Sequence, residues 1–255
     1  MAGAPRITFT TDYGLADGFV AACHGVIAGI APVVPVVDVT HQVPPGDVRR
    51  GALVLAQTVP WFPRGSVHVA VVDPGVGTAR RAIVLRAGGH LLVGPDNGLL
   101  MWAARELGGP AEVREIANPS LTLARVSRTF HGRDVFAPVA AHLAAGTPFA
   151  EVGPAVTDPV APAEPVPGEV LTVDHFGNVQ LAHSTAEFAG ADTLRIEVGG
   201  RVLTVPLRGT FGEVAAGELV AYADSAGFLA ISLNRGDAAT LLGVRAGDRI
   251  KVRPG

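Results

Sequence analysis

Cysteine is nearly missing from this sequence. Cys23 is the only one in 255 residues, which excludes an intrachain disulfide and a thiolate metal cluster and fits a reducing compartment. Runs of lysine and arginine are missing too, and the formal net charge is −3. A chain of that balance is not built chiefly to grip a phosphate backbone. The most apolar segment, residues 26–37, is broken by Pro32 and Pro35 and is too short to span a bilayer. The opening MAGAPRITFTTDYG has no basic region followed by a long apolar stretch, so it does not read as a secretion signal. HExxH, a GxGxxG after a strand and GxxxxGK[ST] are all absent; these are the fingerprints of a zinc protease, a dinucleotide site and a triphosphate loop. The histidines share no metal-ligand spacing, so neither a metal site nor a cofactor is inferred. The expectation is a soluble cytoplasmic protein with no nucleic-acid or membrane partner.

What the sequence does have is apolar material. Hydrophobic residues make up 48%, enough for a sizeable core, and the length suits one large domain or two modest ones. The first two-thirds alternate between two periods. Strands are expected at 7–10, 33–39 and 67–72, with a hairpin at 82–85 and 91–93 around Gly88-Gly89. Helices are expected at 17–30, 46–58, 98–107 and 134–144. Strands apolar on both faces and separated by helices imply an α/β domain with a largely parallel sheet. Ligands of such sheets sit beyond the carboxyl ends of the strands. Asp12, Asp38 and Asp73 all stand at or next to such ends.

The character changes near Gly153. PAVTDPVAPAEPVPGE is proline-rich and reads as a semi-rigid linker. Beyond it only strands are expected, at 169–173, 178–182, 193–198, 201–206, 219–223, 228–232 and 249–253, with Gly199-Gly200 as a hairpin turn. That pattern suits a small barrel or sandwich.

Four stretches carry candidate chemistry. In VDPGVGTARR, Asp73 ends an apolar strand, and glycines at 75 and 77 let the backbone fold sharply so that Arg80 can return to hold the carboxylate ionised. In RTFHGRDVFAP, His131 stands before a helix start with Asp134 as its possible N-cap, and a histidine there can act near neutral pH. In TTDYG, Asp12 is placed to accept hydrogen bonds from paired hydroxyls such as those of a ribose. In VDHFGNVQL, Asn178 offers an amide suited to an adenine edge, and Phe176 or Phe211 a ring to stack on it. Taken singly, each stretch is also ordinary turn or capping chemistry.

Taken together and in order, TTDYG, VVDVTH, PPGDVRRGA, VDPGVGTARR, GPDNGLL, TFHGRDVFAP, DHFGNVQL and SAGFLAISLN resemble the S-adenosyl-L-methionine hydroxide adenosyltransferases, relatives of the fluorinase and chlorinase enzymes. The resemblance runs over residues 7–252. It implies an α/β N-terminal domain (1–153), a linker (154–168) and a C-terminal all-β barrel (169–255). It also implies a homotrimer with ligand sites between subunits. The implied reaction is hydrolysis of S-adenosyl-L-methionine to adenosine and L-methionine, by attack of water or hydroxide at the ribose C5′. The family's Asp-Arg-His set falls on Asp73, Arg80 and His131, and its ribose-binding aspartate on Asp12. Its adenine-side asparagine falls on Asn178, with Asp174 and Ser225 at the methionine end and Phe130 and Phe211 as aromatic contacts. In fluorinase a tyrosine stands at the position of Asp73, and a serine that helps bind halide falls where this chain has Gly132. Halide chemistry is therefore disfavoured. Fluorinase also follows the serine matched to Ser225 with arginine, where this chain has Ala226. Two alternatives stand beside hydrolysis: a protein that binds adenosine or S-adenosylmethionine with little turnover, and a chlorinase-like use of halide.

Overall fold

A computed structural model describes residues 6–255; the first five residues of the stretch read above for a secretion signal lie outside it. The chain divides into two compact units, 1–162 and 163–255.

The first unit is built on a six-stranded sheet of order β2-β1-β3-β5-β4-β6. Its strands are β1 (Ile7–Thr11), β2 (Val36–Thr40), β3 (Val67–Val71), β4 (Ala82–Ala87), β5 (His90–Pro95) and β6 (Glu112–Glu115). β1 pairs in parallel with β2 and β3, and β3 with β5. β4 and β6 run antiparallel, because β4 and β5 form the hairpin expected around Gly88-Gly89. Every residue of β1 and β3 is buried, which accounts for their apolar runs. α1 (Phe19–Ile30) and α4 (Ala137–Ala144) pack against each other and share one core with β1 and β3. α2 (Val48–Thr58) packs against α3 (Met101–Glu106). Asp47 caps α2, its carboxylate accepting from the Arg50 N–H at 2.9 Å.

Two local expectations need correction. Asp134 is not a helix N-cap. The helix starts earlier, with a π turn over Gly132–Phe136 that leads into α4 and encloses Asp134. The cause is Pro138, which has no N–H to give the Asp134 carbonyl. That carbonyl instead accepts from Leu123 N–H at 2.9 Å, and Ala137 N–H reaches back to Gly132. The buried Asp134 carboxylate takes the Ser127 N–H and the Arg133 guanidinium. Burial pushes its pKa up, and these bonds outweigh that and hold it low. Second, part of the proline-rich segment is fastened to the first unit: Asp96 accepts from Val160 N–H, and Arg81 bonds Asp158.

The second unit holds two antiparallel sheets, of order β10-β9-β13 and β11-β12-β8-β7. The strands are β7 (Val170–Val173), β8 (Val179–Ser184), β9 (Thr193–Val198), β10 (Arg201–Pro206), β11 (Leu219–Ala223), β12 (Phe228–Leu233) and β13 (Lys251–Pro254). A short helix, α5 (Ala238–Leu242), joins them. Val170, Leu181, Leu194, Ile196, Leu229, Ile231 and Ile250 fill one core between them. Among the described residues no helix is long and apolar enough to cross a membrane.

Candidate active site

β1 and β3 are neighbours in the sheet, so the chain leaves the sheet side by side at Asp12 and at Asp73. Both aspartates line one cavity of about 290 Å³, together with Tyr13, Gly46, Pro74, Thr129, His131 and Gly132. Asp38 does not join them. It lies within β2 and bonds His24.

The turn after β3 folds as its glycines allow. Val76 N–H donates to the Asp73 carbonyl at 3.1 Å, and Thr78 Oγ1 donates to the Gly75 carbonyl at 2.7 Å. A Cβ on Gly75 would come within 3.3 Å of Arg80 Cγ, and one on Gly77 would overlap the Arg128 carbonyl. Gly77 also has φ +76°, which suits glycine alone. The turn thus lays Arg80 back along itself and against the segment that carries His131.

Arg80 is the centre of the arrangement. Its Nε donates to both Asp73 oxygens at 3.0 Å, and its Nη2 donates to Asp73 Oδ2 and to His131 Nδ1, the latter at 2.8 Å. The guanidinium lies over the Phe136 ring, 5.3 Å from its centroid. The pair is enclosed, with side chains 11% and 5% exposed, where a charged hydrogen bond is strong. A guanidinium only donates, so His131 Nδ1 accepts and the proton of the neutral ring sits on Nε2. Burial, and next the Arg80 charge, lower the His131 pKa; Asp73, Asp134 and a Ser127 backbone bond oppose them without reversing the shift.

Asp12 Oδ2 accepts from Gly46 N–H at 2.8 Å, which turns the carboxylate along the cavity wall. Phe130, an expected ligand contact, is not among the described residues lining the cavity. Its ring packs edge-on against Tyr13 and Phe19 at 5.7 and 5.2 Å. Tyr13 was quoted in the sequence without a role, yet its phenol reaches the cavity wall beside Gly132. Burial first, then Cys23, Asp12 and Asp73, raise its pKa, so it stays a neutral hydroxyl. Cys23 is buried in the core, its thiol pushed up to about 12 mainly by burial. Nothing in sequence spacing pointed to Tyr13, because its partner comes from a distant helix.

The remaining expected residues belong to the second unit. Asp174 Oδ1 accepts from Phe176 N–H and Asn178 N–H at 2.8 and 2.9 Å, and its Oδ2 from Asn178 Nδ2 at 2.7 Å. Ser232 Oγ donates to Asn178 Oδ1 and meets the Tyr222 hydroxyl at 2.9 Å. The Asn178 amide is therefore fixed in plane by both ends. Phe211 stands edge-on to Tyr222 and is 52% exposed. Ser225 is exposed at the tip of the β11–β12 turn, which Asp224 Oδ1 holds through Ala226 N–H and Phe228 N–H.

Comparison with known proteins gives these features a context. Residues 7–153 match the model of the SAM hydroxide adenosyltransferase N-terminal domain, and residues 168–251 that of the C-terminal domain. An (R)-S-adenosyl-L-methionine hydrolase from Salinispora tropica is 58% identical, with 100% of both chains covered. A fluorinase from an Actinoplanes species is 33% identical, over 98% of each chain. A solved structure of an uncharacterized conserved protein from Thermotoga maritima superposes with a TM-score of 0.92 at 41% identity, covering 96% of this chain and 99% of that one.

Proposed function

The chain belongs to the SAM hydroxide adenosyltransferase family, and from that premise we propose that it hydrolyses S-adenosyl-L-methionine to adenosine and L-methionine. The observation that carries the reading is the linked set Asp73–Arg80–His131, set into a cavity wall shared with Asp12.

The substrate is a sulfonium cation with a good leaving group, a neutral thioether. The reaction lacks only a nucleophile. In the proposed step a water oxygen forms a bond to C5′ while the C5′–S bond breaks and its electron pair goes to sulfur. The water's proton goes to Asp73. His131 does not take it, because Nδ1 is engaged with Arg80 and Nε2 already carries the ring's proton. His131 acts as a positioning residue that holds Arg80, and Arg80 aims the carboxylate. Holding the water about 3 Å from C5′, in line with sulfur, supplies much of the acceleration. Proton transfer to a positioned base adds about 10²- to 10⁴-fold. Asp12 takes the ribose hydroxyls. Two anionic groups on one wall suit a cationic substrate.

The other assigned roles belong to the same reading. Asn178 takes the adenine edge, Asp174 and Ser225 the methionine end, and Phe130 and Phe211 the aromatic contacts; the assembly is a homotrimer and no resident cofactor takes part. The two sheets of the second unit are read as the walls of a small barrel. The isolated bridges Leu207↔Ala221 and Glu169↔Arg249, one at each pair of sheet edges, support that. A cytoplasmic location fits the single thiol.

The test is incubation of purified protein with S-adenosyl-L-methionine, following adenosine and methionine by chromatography. Equal release of both, falling about 10²- to 10⁴-fold in Asp73→Asn with KM little changed, is expected. Substrate or adenosine bound without release would favour the binding protein instead. A chloride-dependent 5′-chloronucleoside would favour halide chemistry.

A further inference from the structure

Outside the cavity, three side chains converge whose chemistry the proposed reaction does not use. His24 Nε2, on α1, lies 2.8 Å from Asp38 Oδ1, on β2. His41 Nε2, just beyond β2, lies 3.1 Å from the same oxygen. All three atoms fall within 4.8 Å of one another. We propose that His24, Asp38 and His41 form a binding site for a transition-metal dication of the zinc class, separate from the reacting centre.

The buried member carries the argument. The His41 side chain is 3% exposed, yet its Nε2 makes no hydrogen bond in the described structure. It comes close to the Asp38 oxygen in distance but not in direction. A buried ring nitrogen without a hydrogen-bond partner is costly, and a cation between it, His24 and Asp38 would satisfy it. The other nitrogen is already oriented: His41 Nδ1 pairs with Thr11 Oγ1 at 2.8 Å. That is the outer partner which metal-bound histidines regularly have, and it fixes the ring. The Phe9 ring backs both imidazoles, 6.0 Å from His24 and 5.1 Å from His41.

The spacing also fits. Ligands about 2.0–2.2 Å from a tetrahedral ion lie about 3.3–3.5 Å apart, so each histidine, now 2.8 and 3.1 Å from the Asp38 oxygen, would move off it by only a few tenths of an ångström. Two imidazoles and one carboxylate favour zinc, cobalt or nickel over magnesium or calcium, which prefer all-oxygen sites. His24 and Asp38 are 35% and 41% exposed, which leaves a path for the ion and a position for water. Sequence spacing could not reveal the site, since its ligands come from a helix, a strand and the residue beyond.

The site's place in the fold suggests what it does. The His41 carbonyl accepts from Gly14 N–H at 2.7 Å, in the loop that carries Asp12 and Tyr13. A metal joining α1 to the end of β2 would clamp that loop from behind.

The experiment uses tag-free, chelator-treated full-length protein titrated with Co²⁺, read by visible absorption, and with Zn²⁺ in competition. One Co²⁺ per chain is expected, with the ligand-field band of an imidazole-rich site, displaced by Zn²⁺. His24→Ala and Asp38→Asn should each weaken binding at least ~10-fold, the effect that loss of an outer partner alone can reach. Both sites are partly exposed, so these variants should keep the metal-free melting temperature within a few degrees, and a melt of each confirms folding. Zn²⁺ should raise the melting temperature of the parent and not of the variants. No stoichiometric Co²⁺ binding would overturn the proposal and leave a plain chain of ion pairs. Binding unchanged in both variants would overturn it equally, by placing the ion elsewhere.

Discussion

The hydroxyl of Tyr13 lies against the Cα of Gly132, in the space that any side chain at 132 would have to enter. The ring is held there by Phe19 and Phe130, so it has little freedom to withdraw. Gly132 is therefore required by packing. Gly132→Ser should lower stability by about 1–3 kcal/mol, the usual cost of overpacking, and reduce hydrolysis. Adding Tyr13→Leu should recover a large part of the stability. Denaturant melts of the two single variants and the double would show it. A Gly132→Ser protein as stable as the parent would mean that the phenol moves aside freely.

Arg80 holds two partners at once, and only a planar fork can do that here. Nε faces both Asp73 oxygens while Nη2 reaches His131 Nδ1. Lysine keeps the charge but has one compact head group. Arg80→Lys should therefore cost about 10²-fold in kcat through misplacement of the carboxylate, with a much smaller change in KM. Steady-state kinetics decide the matter. Equal losses in kcat and in substrate affinity would make Arg80 a general electrostatic contact and not an aiming device.

How far the sequence carries depends on whether a feature is local. β3 is legible because each of its residues is buried on one face or the other, and the β9–β10 hairpin because Gly199-Gly200, both at positive φ, stands between two strand-like runs. The return of Arg80 to Asp73 is legible for the same reason, since a single turn contains both. β6 is not legible. It is a short strand of Glu112, Val113, Arg114 and Glu115 with one apolar residue, in which Glu112 pairs with Arg114 and Arg86, so no apolar alternation marks it. The contact of Tyr13 with Gly132 and the convergence of His24, Asp38 and His41 depend on how distant segments pack. The fixing of Asn178 by Ser232 is likewise a contact between β12 and the turn before β8. No local pattern encodes these.

His68 gives a pH dependence of stability that is independent of catalysis. It is buried in β3, with Thr8 Oγ1 on Nδ1 at 2.8 Å and His90 Nδ1 on Nε2 at 3.1 Å. Burial, aided by His90, lowers its pKa to about 3. Between about 6.5, the value for a free histidine, and about 3 the unfolded chain binds a proton that the folded chain refuses. Stability should thus be complete above that window and fall as the pH drops through it. This one group contributes a slope of up to about 1.4 kcal/mol per pH unit. Urea melts from pH 7 to pH 4 should show a shallower slope in His68→Gln than in the parent. An identical slope would mean that other groups govern acid unfolding.

His131 sets the last expectation, because its protonation state and its bond to Arg80 exclude one another. Nδ1 accepts the Arg80 N–H only while it carries no proton. Protonating it would put two donors face to face beside a fixed positive charge, which is why burial and Arg80 together lower its pKa. The neutral ring is the working form, and it persists below the ordinary histidine value near 6.5. The acid limb of kcat should accordingly lie below that value. Weakening the Arg80 contact ought to move the limb upward, so Arg80→Lys should lose activity at higher pH than the parent as well as being slower at every pH. In His131→Ala the limb set by that ring should be lost. A pH–rate profile for the parent and these two variants tests the whole chain of reasoning. A limb at or above 6.5 in the parent would show that protonating His131 does not compete with its bond to Arg80.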